Sequence, residues 1–240
     1  MTVDLHIPEN WSQVTAEQLR TIVELTHSEL SRETFLLVLL CRFTGIRMVA
    51  GTTDEDNRKV VRTGFKDAEG NLFEMEDWQV SDFCSRLSFV FEEMPRNIVC
   101  PFKWDRRLIA TSFGDWFQAD ALMLRYFTTQ DPQYVEGAMR CLGDPHENPS
   151  PVDIELMQIW WEDFQEWMID KYPYIFKKTD PRKESVISPL ETRQNIMLML
   201  NDRRPQDNVK IEESNLHDVL SALQYKIEEA EEKRRLLNRH

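Results

Sequence analysis

Apolar residues return every three or four positions through most of this chain, and the fullest stripe lies within 151–172. There Ile154, Met157, Trp161, Phe164 and Met168 step by 3, 4, 3 and 4 residues, the spacing that gathers side chains on one helix face. Pro151 suits a first helical turn, Pro173 stops the run, and acidic residues such as Asp153, Glu162 and Asp170 cover the remainder. Trp160 and Trp167 lie seven apart on the neighbouring face. The resulting apolar arc is wider than one neighbouring helix covers. Two neighbours within a globule would cover it, or one neighbour and a partner protein.

The same reasoning predicts further helices. Thr15 with Gln18 is a capping-box pair before a helix over 16–29. Ser31 and Gly45 bracket one over 31–44, whose centre is apolar all round and so calls for burial on most sides. Helices follow over 81–93, 113–128, 132–142 and 189–200, with an irregular proline-bounded piece at 95–101 and a loop at 143–151. Between 46 and 76 the pattern shortens. Strand-like runs at 46–49, 59–65 and 72–75 flank a turn at 66–71, which predicts a β-hairpin at about 58–76. Residues 3–7 alternate and read as another short strand, stopped by Pro8. The fold class is mainly α: a multi-helix globule over 1–176 with a small sheet in its N-terminal third, a linker at 177–188 and a C-terminal helical extension over 189–240.

That extension ends in an amphipathic helix over 214–237, reached through polar breaks at 177–188 and 201–210. Leu216, Val219, Leu220, Leu223 and Ile227 recur on one face. Two dozen helical residues reach about 36 Å, and such a stripe must be covered by its own globule or by another chain. The two polar breaks favour another chain. The candidate partner-binding residues are therefore Leu216, Val219, Leu220, Leu223 and Ile227, with Trp160 and Trp167, since tryptophan is enriched at binding hot spots.

Composition narrows the function. The formal charge is −13, from 42 acidic and 29 basic residues, which disfavours a nucleic-acid partner because phosphates demand Lys and Arg. A basic-aromatic cluster at 96–107, with Phe102, Trp104, Lys103, Arg106 and Arg107, is the local exception. Anchoring of a loop by its aromatics, with the cations paired to acidic neighbours, is the reading that the net charge favours. Only seven glycines occur, which suits helices better than tight hairpins or phosphate loops. Neither a phosphate-binding glycine loop nor a G-x-S-x-G elbow is present. Glu213 with His217 and His146 with Glu147 are isolated pairs, expected to be solvated rather than metal ligands, and Glu162 with Asp163 lacks the Glu-x-x-His partner of a helical-bundle metal site. His27 reads as a cap at a helix end. The expectation is no catalytic residue, cofactor or metal. Cys41, Cys84, Cys100 and Cys141 are widely spaced and read as free thiols. The start Met1-Thr2-Val3-Asp4 lacks the basic opening of a secretory signal, and the apolar run at 35–40 is too short to span a bilayer, so a reducing cytoplasm and no membrane are expected.

Two N-terminal segments carry a family likeness. Ile7-Pro8-Glu9-Asn10-Trp11, running into Val14-Thr15-Ala16-Glu17-Gln18-Leu19, and the apolar helix from Phe35 to Ile46 resemble uncharacterised proteins encoded in prophages of Bacteroidetes. Those proteins also end in an asparagine-bearing helix, a short polar break and a last amphipathic helix, the order seen here from Asn195 to Leu237. The resemblance covers about a third of the chain and implies a phage morphogenesis protein in the bacterial host cytoplasm. It implies in particular a tail-assembly chaperone that holds a helical tape-measure protein, or a virion accessory protein. No catalytic residue is implied. The expected function is thus non-enzymatic protein binding. The alternative is an acidic inhibitor or immunity-type protein that covers a basic partner.

Overall fold

Capping residues set most of the helix boundaries. The computed structural model describes residues 5–52, 62–96, 98–144, 147–176, 189–201 and 205–237. They form a mainly α-helical protein with one three-stranded antiparallel sheet in the N-terminal third, as the periodicity predicts. The chain divides into two units, Met1–Pro101 and Phe102–His240. That boundary differs from the expected one at 177–188, a segment outside the described residues.

In the first unit, α1 (Ala16–Thr26) starts at the Thr15–Gln18 capping box and buries Leu19, Ile22, Val23 and Leu25; His27 is its C-cap. Helix α2 (Arg32–Thr44) is capped by Ser31 and buries Phe35, Leu36, Leu39 and Leu40. Gly45 closes it at φ 71°, a left-handed conformation that strains any residue with a Cβ. Strands β1 (Arg47–Thr52), β2 (Arg62–Lys66) and β3 (Leu72–Glu76) follow in that spatial order. Phe65 faces Phe73 across the β2–β3 ladder with ring centroids 5.8 Å apart, and Phe65 and Met75 are buried. The described part of 3–7 forms no strand; instead Ile7 is buried as core without a ladder partner. Helix α3 (Asp77–Arg86) begins four residues before the predicted 81, because Glu76 and Gln79 form a capping box. A 3-10 turn, Leu87–Phe91, completes the predicted 81–93 segment.

The second unit is built from α4 (Phe113–Thr129), α5 (Pro132–Cys141), α6 (Pro151–Lys171), α7 (Pro189–Leu200), α8 (Asn208–Glu213) and α9 (Leu216–Leu237). α8 begins within what reads as a polar break; Asn201 Nδ2 donates to Asn208 Oδ1 across that break at 2.5 Å. Gly114 lets α8 approach α4: a Cβ there would sit 3.2 Å from the Glu212 carbonyl oxygen.

The terminal helix departs from expectation. Its entry is clamped to the entry of α4: the Phe113 N–H donates to Ser214 O at 2.8 Å, and the Leu216 N–H donates to Thr111 O at 3.0 Å. Beyond this clamp α9 packs on α4 and α7, and Leu216, Val219, Leu220 and Leu223 are buried within the unit. They are core residues, not a free partner surface, because the chain turns back and supplies its own cover. Trp160 is likewise fully buried, while Ile227 and Trp167 are half-buried. Only the distal turns of α9 stand clear, with Tyr225, Leu236 and Leu237 exposed. Among the described residues no helix is long and apolar enough to cross a membrane.

Leu220→Ala is expected to cost about 2–5 kcal/mol in urea unfolding, whereas Leu237→Ala stays within about 0.5 kcal/mol. Equal, small effects would mean that α9 is not part of the core.

Candidate functional site

Helix α4 carries Phe113, Trp116, Phe117, Met123 and Phe127 at helical spacing, and one position of this apolar stripe is a carboxylate, Asp120. Two side-chain hydrogen bonds join α4 to α6. Gln165 Nε2 donates to Asp120 Oδ1 at 2.8 Å, and Gln158 Nε2 donates to the Tyr126 hydroxyl at 3.0 Å. Residue numbers rise along one helix as they fall along the other, so the two run antiparallel. Ser112 caps α4, and the Ser150–Asp153 capping box fixes the start of α6.

Between them lies an open groove of about 500 Å³, lined by Asp120, Leu124, Phe127, Trp161, Glu162, Gln165 and Glu166. Its apolar surface is accessible: Leu124 is 52% exposed and Phe127 39% exposed, high for large hydrophobic side chains at the mouth of a cleft. Asp120 is partly accessible as a residue, but its carboxyl is surrounded by protein on most sides. Desolvation pushes its pKa from 3.8 up to about 6, against the lowering effect of the Gln165 hydrogen bond. Asp120 Oδ2 takes no hydrogen bond among the described residues. The groove therefore offers an apolar floor, one carboxylate oxygen without a partner and two further glutamates. That combination suits a side chain with an aliphatic stem and a cationic head.

The other candidate groups serve the structure. Phe102 stacks on Trp104 at 4.4 Å, and Trp104 meets Trp160 edge-on at 5.2 Å, so these aromatics anchor their loop on α6. Arg106 pairs with Asp163 at 2.9 Å, and the Arg107 guanidinium lies 4.3 Å from the Trp167 ring centroid. His217 is half-buried and bonds elsewhere than to Glu213. Its Nδ1 lies 2.9 Å from the Tyr172 hydroxyl and its Nε2 lies 2.6 Å from Arg107 O. Nε2 accordingly carries the proton donated to that carbonyl, and the Tyr172 hydroxyl donates to Nδ1. Burial holds the imidazole below its usual pKa. His146 lies outside the described residues. Among the described residues no group of three or more His, Cys, Asp or Glu side chains is placed to hold a metal ion. The four cysteines form no disulfide and are half-buried.

Asp120 and Gln165 are the site residues that periodicity alone passed over. The available signal was a carboxylate at a helix position otherwise reserved for apolar side chains. Comparisons with protein-family models, curated proteins and solved structures return no match for this chain.

A raised carboxyl pKa gives stability that is complete below the unfolded value of 3.8 and is lost as pH rises through about 6. Asp120→Asn is therefore expected to stabilise the fold by about 1–2 kcal/mol at pH 7.5. The gain should vanish below the unfolded pKa. Urea unfolding at both pH values checks this, and a destabilised variant at pH 7.5 would contradict it.

Proposed function

We propose that this chain is a protein-binding protein without chemistry of its own, and that it seats an amphipathic helix bearing cationic side chains in the α4–α6 groove. The observation that carries the reading is Asp120: a carboxylate held at the groove, beside the exposed Leu124 and Phe127. Such a group costs stability at neutral pH and is accounted for by a cationic ligand. A helix laid along the groove would place apolar residues on Leu124, Phe127 and Trp161 and a Lys or Arg at Asp120. The excess of acidic residues would steer such a partner in.

The prophage likeness of the N-terminal segments supports a setting in phage morphogenesis, in the cytoplasm of a bacterial host. There a tail-assembly chaperone would shield helical stretches of a tape-measure protein, and a virion accessory protein would hold a neighbour in the particle. The concave shape of the site favours this over an inhibitor or immunity-type protein, which plugs a basic active site with a convex acidic face.

The test uses a fluorescein-labelled helical peptide with leucines on one face and lysines on the other, read by anisotropy against the full-length protein. Saturable binding is expected, weakened about tenfold by Leu124→Ser or by Glu162→Lys. Both residues are exposed, so the fold is retained. Binding that ignores both substitutions, or no binding, contradicts the proposal.

A further inference from the structure

The first unit holds another groove, built from different chemistry. It lies between α2 and the start of β1, encloses about 500 Å³ and is lined by Leu37, Val38, Cys41, Ile46 and Met48, with Arg42 and Arg47 beside them. Its existence follows from the all-round apolar character of α2. One side of that helix is covered, with Phe35, Leu36, Leu39 and Leu40 buried; Leu37, Val38 and Cys41 on the groove side are only half-buried. Met48 is 55% exposed.

One wall of this groove is backbone. β1 is an edge strand that pairs with β2 alone among the described residues. Arg47 and Met48, at the start of that strand, line the groove opposite Leu37, Val38 and Cys41 of α2. After Met48 the ladder register shifts before Ala50, marking a bulge. An edge strand presents N–H and C=O groups that a further strand can pair with, and here the bulge confines that pairing to the stretch at Arg47 and Met48. A helix in the same place would leave those groups unmet, since its own backbone groups are bonded internally. The charge is also distinctive. Arg42 and Arg47 are both exposed at the groove, in a chain whose net charge is −13. An acidic segment is repelled by most of this protein and attracted here.

We propose that the α2–β1 groove receives an extended acidic segment of a partner protein, which adds a strand beside β1, sets alternate apolar side chains against Leu37, Val38 and Cys41, and pairs its carboxylates with Arg42 and Arg47. Strand addition supplies affinity through the main chain, and the groove and the two arginines supply selectivity. This surface is separate from the α4–α6 groove, and its occupant has the opposite charge.

The experiment uses the full-length protein and a blocked, fluorescein-labelled peptide of alternating valine and glutamate. Anisotropy is expected to show saturable binding at physiological salt. The R42E/R47E double variant, with its circular dichroism unchanged, is expected to bind about tenfold or more weakly. N-methylation of the peptide at alternate residues is expected to abolish binding, and bound peptide is expected to slow alkylation of Cys41. Leu124→Ser should leave all of this unchanged, which separates this site from the α4–α6 groove. Absence of binding overturns the proposal, as does binding indifferent to N-methylation or to charge reversal. Self-association that R42E/R47E abolishes and the peptide cannot displace also overturns it, by assigning the groove to a second copy of the chain.

Discussion

The hydrogen bond from Gln165 to Asp120 is the constraint on which the α4–α6 face rests. It is one of two side-chain links that set the antiparallel register of these helices, and it holds a carboxylate where the pattern of α4 calls for an apolar residue. A single amide donor does not offset the desolvation of a carboxylate, so the group stays reluctant to ionise and its pKa rises to about 6. A leucine at the same position would pack without that penalty. The half-satisfied carboxylate beside leucine and phenylalanine is the basis on which we propose a ligand with a cation on an aliphatic stem.

Other contacts of the second unit tie neighbouring segments to α6. Phe102 and Trp104 pack their loop against Trp160, and Arg106 ties the same loop to Asp163 on α6. His217, at the start of α9, joins Tyr172, after the end of α6, to the carbonyl of Arg107 in the loop before α4. α9 itself then packs on α4. The terminal helix thus supports the site and does not form it. Its stripe from Leu216 to Leu223 finds cover inside the unit through two backbone hydrogen bonds between 111–113 and 214–216, contacts between segments a hundred residues apart that no local pattern reveals.

Much of the fold was legible because helix ends carry local chemistry. Thr15 with Gln18, Ser31 with Gly45, and Pro151 with Pro173 each mark a boundary through their own side chains or backbone limits. Where the signal was weaker the reading slipped. The capping box at α3 uses a glutamate, Glu76, as N-cap, and the six-residue α8 lies in a stretch too polar to show a period. The division at Pro101 was marked only by prolines at 95 and 101. The site was harder still. Asp120 was visible as an anomaly in an apolar stripe, but its partner Gln165 lies on another helix, and only the packing of α4 against α6 brings them together.

The most direct measurement of this account is the carbon-13 titration of the Asp120 carboxyl by NMR, in the free protein and in the protein saturated with the leucine-lysine helix. A midpoint near 6 in the free state, falling when the cationic peptide is bound, is the predicted result. A midpoint near the ordinary aspartate value in the free protein, or one that peptide leaves unmoved, would contradict it.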